Sequence, residues 1–104
     1  MYGKSPCWKR LLYHNIWLRS SYELNFAQYL DSKNIKWEYE IKRFNLGNKT
    51  YTPDFYLPEI NQYIEIKGWW KKEVLNKFLA FKLLYPEIKI KVLMQEDLKT
   101  IGVL

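Results

Sequence analysis

Residues 62–68 read as a strand, residues 71–85 as a helix and residues 88–94 as a second strand, and this succession limits the fold more than any other feature of the chain. A strand, a crossover helix and a strand of the same sheet form a βαβ unit, so the two strands run parallel and the crossover is right-handed. The helix reading rests on spacing. Val74, Phe78, Phe81 and Tyr85 make one stripe, Leu75, Leu79 and Leu83 make a second beside it, and Pro86 ends the run. In the last strand Ile88, Ile90 and Val92 alternate with Lys89, Lys91 and Leu93.

Upstream, residues 36–46 and 49–57 are rich in Tyr, Ile, Trp and Phe, with the hairpin signal Gly47-Asn48 between them. Pro58-Glu59-Ile60-Asn61 turns the chain into residues 62–68, giving an antiparallel meander. A helix over residues 20–33 precedes it. Ser20 and Glu23 have capping-box spacing, Leu24, Ala27 and Leu30 recur at helical intervals with Tyr22 and Phe26 widening the face, and Asp31-Ser32-Lys33-Asn34 is a polar exit. The predicted class is α/β, with an αβββαβ core in which a mixed sheet is flanked by helices. One helical turn is expected before Gly102.

A chain of 104 residues is one domain's worth. We divide it into a basic, aromatic arm over residues 1–18 and a single folded domain over residues 19–104. In the arm Lys4, Lys9, Arg10 and His14 are interleaved with Trp8, Tyr13 and Trp17, and a short strand is expected near residues 15–18. Hydrophobic residues at 48% exclude a wholly disordered chain, and a net charge of +6 favours a polyanionic partner, DNA first. Cys7 is the only cysteine and His14 the only histidine, which excludes an internal disulfide and a Cys/His zinc site. Cys7 is expected to be a small apolar filler. No apolar run approaches the ~20 residues that span a bilayer, so no membrane association is expected and the cytoplasm is the expected compartment.

The chemistry gathers in two strands. In Tyr63-Ile64-Glu65-Ile66-Lys67-Gly68 the period of two puts Glu65 and Lys67 on one face and Ile64 and Ile66 on the other. In Tyr51-Thr52-Pro53-Asp54-Phe55, Asp54 lies in the strand expected to pair with this one, so that Asp54 and Glu65 meet if the register allows. Paired carboxylates repel unless a cation lies between them, and oxygen ligands suit Mg²⁺. Such an ion beside a lysine is suited to phosphodiester hydrolysis. Glu23 shares a helix face with Ala27 and Leu30, which turns it toward the sheet, although it can equally serve as a helix cap.

Pro53-Asp54 followed by Glu65-Ile66-Lys67, behind a helix bearing Glu23, resembles the PD-(D/E)XK nuclease superfamily over about residues 19–94. Its restriction-endonuclease-like core has the same αβββαβ order. Arg19-Ser20-Ser21-Tyr22-Glu23, Ile35-Lys36-Trp37-Glu38-Tyr39-Glu40 and Tyr51-Thr52-Pro53-Asp54-Phe55 resemble its phage-type members, both junction-resolving endonucleases of the endonuclease I type and homing endonucleases related to very-short-patch repair nucleases. The resemblance implies a metal-dependent DNA endonuclease of a bacterial or phage-infected cell. It also implies Asp54 and Glu65 as ligands of Mg²⁺ or Mn²⁺ with the Ile66 carbonyl, Lys67 as the catalytic lysine and Glu23 as a further acidic catalytic residue.

Lys9, Arg10, Arg19, Lys71, Lys72 and Lys77 are the expected DNA contacts. A homodimer is expected because the broadly apolar second helix and five Trp exceed what one small core can hide. The residues leave three other readings open. These are a non-catalytic basic DNA-binding module whose carboxylates merely balance lysines, a nuclease-like subunit of a larger DNA-processing complex, and an interaction domain using residues 71–85 as its surface.

Overall fold

Strand β7 (Gln62–Ile66) is buried on both faces, Ile64 and Ile66 on one and Tyr63 and Glu65 on the other, as suits the middle of a sheet. The computed structural model describes residues 10–103, so the expectations for Lys4, Cys7, Trp8 and Lys9 lie outside the described residues. Strand β7 pairs antiparallel with β6 (Phe55–Leu57) and parallel with β8 (Ile90–Leu93), and β3 (Glu38–Tyr39) adds antiparallel to β6. The result is a four-stranded mixed sheet in the order β3-β6-β7-β8. Helix α2 (Lys72–Leu84) makes the expected crossover between the parallel strands. The element order is mixed α/β, with α1 (Ser21–Ser32) ahead of the sheet and α3 (Gln95–Thr100) at its end.

The two helical stripes of the sequence meet different fates. Tyr22, Phe26, Ala27 and Leu30 of α1 pack on Phe55, Leu57, Ile64, Ile66 and Leu93. The other cluster joins Phe81 to Phe44, Tyr51 and Tyr63, with Phe78, Tyr85, Ile88 and Ile90 at its margin. Phe81 is the buried residue of α2, whereas Leu79 and Leu83 of the second stripe are exposed. Among the described residues no helix is long and apolar enough to cross a membrane.

The long strands expected at residues 36–46 and 49–57 are each broken in two. The first divides at Glu40, whose φ of 51° no continuous strand tolerates, into β3 and β4 (Phe44–Asn45). The second divides at Thr52-Pro53-Asp54 into β5 (Thr50–Tyr51) and β6, because Pro53 brings no N–H to a ladder. Strands β4 and β5 form their own ribbon through the predicted Gly47 turn, where φ is +103°. Helix α3 is the turn of helix expected before Gly102.

The described part of the arm is more ordered than its sequence implies. Besides the expected strand, β2 (Ile16–Leu18), it contains β1 (Leu11–Tyr13), paired antiparallel with it. His14 and Asn15 both have positive φ, the geometry of a two-residue type I′ turn, so the hairpin was masked by a loop lacking glycine. Leu18 is fully buried in the α1 cluster. Asp31, at the end of α1, ties this hairpin down. It accepts the Tyr13 hydroxyl at 2.6 Å and the Trp37 indole N–H at 2.8 Å, and its Oδ2 lies 2.9 Å from His14 Nε2.

The Tyr13 hydrogen bond, followed by that of Trp37, holds the Asp31 carboxyl below its ordinary range. An acid whose folded pKa is lowered stabilises the fold above its unfolded pKa, about 3.9 for Asp, and loses that contribution as pH falls through the folded value. Asp31→Asn is therefore expected to be less stable than the wild type at pH 6. The gap between their urea midpoints should close as the pH is taken below about 4, near the unfolded value.

Candidate active site

Strand β6 meets β7 with Phe55 opposite Ile64, so one further step along the same register puts Asp54 opposite Glu65. The side chains of both lie on the face away from the Phe55–Ile64 pair, and both are buried. Asp54 Oδ2 accepts the Ile66 N–H at 2.7 Å. Glu65 is gripped from two sides, by the Tyr51 hydroxyl at 2.7 Å on Oε1 and by Lys67 Nζ at 2.8 Å on Oε2. The backbone ladder continues past the strand, with Lys67 N–H donating to the Leu93 carbonyl at 3.0 Å, so Lys67 is held by the sheet.

Glu23 enters from α1 and is also buried. Its N–H donates to Ser20 Oγ at 3.2 Å, which makes half of the expected capping box. The other half differs: Glu23 Oε1 accepts the Arg19 N–H at 2.8 Å, one residue before the cap, and the Tyr39 hydroxyl at 2.6 Å. Both the capping and the sheet-facing readings of Glu23 thus hold in part.

Glu23, Asp54 and Glu65 are the buried charged side chains among the described residues, and the Lys67 ammonium pairs with Glu65. Burial pushes the Asp54 carboxyl well above its ordinary range, the charges of Glu65 and Glu23 push it further, and the Ile66 N–H and Lys67 only partly offset this. Burial also raises Glu23, against the bonds from Tyr39 and Arg19. For Lys67 burial acts downward, but the charge and hydrogen bond of Glu65, with Asp54 and Glu23 behind, outweigh it and raise the pKa. Tyr39 and Tyr51 are both raised, first by burial and then by the carboxylates they serve, so both remain hydrogen-bond donors at neutral pH.

Glu23, Tyr51, Asp54, Glu65 and Lys67 form the floor of an open cleft of about 1000 Å³. Arg10, Arg19, Lys71 and Lys77 line it, as does Arg43, which the sequence reading did not single out. Lys72 does not line it, and Lys9 lies outside the described residues. On the rim the Arg19 guanidinium pairs with Glu40 through both carboxylate oxygens, at 2.8 and 3.3 Å. Tyr39, Tyr51 and Glu40 were also missed. A buried tyrosine hydroxyl needs a partner, and that need was the available signal for the first two.

The donor set suits a hard divalent cation. Asp54, Glu65 and the Ile66 carbonyl offer oxygen alone, and the unbalanced buried charge favours a positive guest. Among the described residues no group of three or more His, Cys, Asp and Glu side chains stands ready to chelate a metal, so these two carboxylates would rely on the carbonyl and water for the remaining positions.

A family model described as phage endonuclease I matches residues 7–101. Endonuclease I of Escherichia phage T7 is 37% identical over 78 residues, which cover 71% of this chain and 52% of that protein. Endodeoxyribonuclease 1 of Enterobacteria phage T3 is 36% identical over 78 residues, covering 71% of this chain and 51% of that protein. The chain spans about half the length of the curated relatives it matches.

Repulsion among the buried carboxylates makes a claim on stability. Asn at position 54 can still accept the Ile66 N–H while carrying no charge. Asp54→Asn is therefore expected to melt higher than the wild type in EDTA at neutral pH, by about 4–8 °C per kcal/mol of repulsion removed in a domain of this size. Differential scanning calorimetry measures this directly, and an unchanged or lower Tm would contradict the electrostatic picture.

Proposed function

The chain belongs to the phage endonuclease I family, and from that membership, together with the carboxylate–lysine floor of its basic cleft, we propose that it is a PD-(D/E)XK-type, metal-dependent DNA endonuclease that resolves branched junctions. One observation carries the reading: among the described residues three buried carboxylates are set against one lysine. Were the carboxylates present only to balance lysines, as in a non-catalytic DNA-binding module, the charges would match. The excess calls for a further cation at the place where Asp54 and Glu65 oppose each other. The mixed sheet with helices α1 and α2 packed on it supports a restriction-endonuclease-like core.

When bound, Mg²⁺ or Mn²⁺ supplies Lewis-acid stabilisation of phosphoryl oxygens. Asp54, Glu65 and the Ile66 carbonyl are the groups that would hold it. The protein's own contribution is positional. Tyr51 and Lys67 fix both oxygens of Glu65, and the Ile66 N–H fixes Asp54. Lys67 keeps a compact positive charge at the cleft floor, where it can orient an attacking water and offset charge developing on the phosphate. Glu23, anchored by Tyr39, adds negative charge beside Asp54. Arg10, Arg19, Arg43, Lys71 and Lys77 bind backbone phosphates along the walls.

We further propose a homodimer, because one such site cuts one strand and Leu79, Leu83 and Leu84 leave an exposed apolar stripe on α2. Sedimentation at micromolar concentration should show twice the monomer mass, and a monomer with and without DNA would overturn this.

Cleavage of a four-way junction, a plasmid and a linear duplex, each with Mg²⁺ and with EDTA, tests the activity. Cutting that needs Mg²⁺ and favours the junction is expected. Asp54→Asn and Glu65→Gln should abolish it without loss of DNA affinity, and Lys67→Ala should slow it by orders of magnitude. Mg²⁺ should also raise the Tm of the wild type but not of Asp54→Asn. Full activity in either carboxylate variant would remove the proposed site. Glu23→Gln preserves capping, so a raised Mg²⁺ requirement in that variant would place Glu23 in the chemistry.

A further inference from the structure

Gly68-Trp69-Trp70-Lys71 joins the catalytic end of β7 to α2, and its two indoles are used differently. Trp70 is half-buried. Its ring lies 5.2 Å from Phe78, and Lys67 Nζ stands 5.7 Å from its centroid, so it packs the helix and backs the lysine. Trp69 is 48% exposed and lines the cleft beside Lys67 and Lys71. Gly68 lets the chain leave the strand tightly, since a Cβ at that position would come within 3.2 Å of the Tyr22 ring. The strand end therefore runs close against α1, and the next residue is the exposed tryptophan at the catalytic lysine's side.

An indole with half its surface in water, amid Arg and Lys, has an environment suited to one kind of ligand. The surrounding cations select a polyanion, and the apolar π-face selects a group that is flat and itself poorly hydrated. Unstacked nucleotide bases meet both demands, whereas bases inside an intact duplex present no free face. We propose that Trp69 is a specificity-determining residue that stacks on an unpaired or unstacked base next to the phosphate held over Asp54, Glu65 and Lys67. The proposal rests on the nuclease reading for that phosphate. It adds a source of preference for DNA whose stacking is interrupted, as at a branch point, over continuous duplex.

The experiment is binding without catalysis, by fluorescence anisotropy of dye-labelled DNA in EDTA. The probes are a four-way junction, a duplex with a flap of unpaired nucleotides and an intact duplex of the same length, offered to the wild type and to Trp69→Ala, Trp69→Leu and Trp69→Tyr. Trp69→Ala and Trp69→Leu are expected to bind the junction and flap about 5- to 150-fold more weakly, equivalent to the ~1–3 kcal/mol of one stacked base. Trp69→Tyr should stay within a few-fold of the wild type. Duplex affinity and the salt slope on every probe should be unchanged, because no phosphate contact is removed. Equal binding of the junction by Trp69→Ala, a Leu variant as good as Trp, or an equal loss on duplex would each overturn the proposal. Thermal melting of each variant separates these results from unfolding. If the wild type cuts no DNA with Mg²⁺, the nuclease reading fails while the binding comparison still stands, so the two failures are told apart.

Discussion

The bond from the Ile66 N–H to Asp54 Oδ2, 2.7 Å long and buried, joins the two strands of the candidate site at the point where their ladder gives out. Pro53 has just interrupted the strand, and just past it the Asp54 carbonyl accepts the Glu40 N–H at 2.9 Å on the β3 side. A carboxylate that accepts the central strand's own amide replaces the lost backbone bond and brings the acidic group to the sheet's end. The remaining geometry builds on this. Glu65 is the neighbour of Ile66, Lys67 follows it, and the Leu93 carbonyl holds the Lys67 amide. Moving Asp54 would leave a buried amide and a buried carboxylate without partners, two costly groups in a low-dielectric place.

Electrostatically the cleft is layered, with an acidic floor beneath a basic rim. The rim attracts a polyanion at long range, and the floor prevents phosphate from settling on the carboxylates without a mediating cation. On the proposed reading, such layering would separate affinity, assigned to residues such as Lys71 and Lys77, from chemistry, assigned to Asp54, Glu65 and Lys67. It also explains why burial and like charge raise Asp54 together, since the floor gathers Glu23 and Glu65 around it.

Much of this was legible in the sequence wherever a period carried it. The 3.6-residue spacing of Leu24, Ala27 and Leu30 and of Phe78 and Phe81 marked the helices. The period of two in residues 62–68 puts Glu65 and Lys67 on one side. What escaped depends on contacts between distant segments. The break at Glu40 comes with a residue that pairs with Arg19, and no local signal foretells a left-handed glutamate. The hairpin β1–β2 turns on His14-Asn15, a weak turn pair that Asp31 and Trp37 support from elsewhere. Tyr39 and Tyr51 looked like ordinary strand aromatics, and only the fold shows that each holds a carboxylate. On α2 periodicity marked both stripes as apolar, although the fold covers just one of them.

The sheet's outermost strands have a further effect. Strand β3 is two residues long, and on the opposite edge β8 is four residues long, carries the exposed Lys91 and runs directly into α3. An unpaired edge is a template for strands of other molecules, and shortness and lysine are two ways in which proteins blunt it. Aromatics make up 18% of this chain, and an aromatic-rich sequence of this kind is prone to edge-to-edge association during synthesis. With its edges blunted, the sheet leaves little room for a passing strand to add, and self-association is steered away from runaway stacking toward contacts that side chains alone can specify.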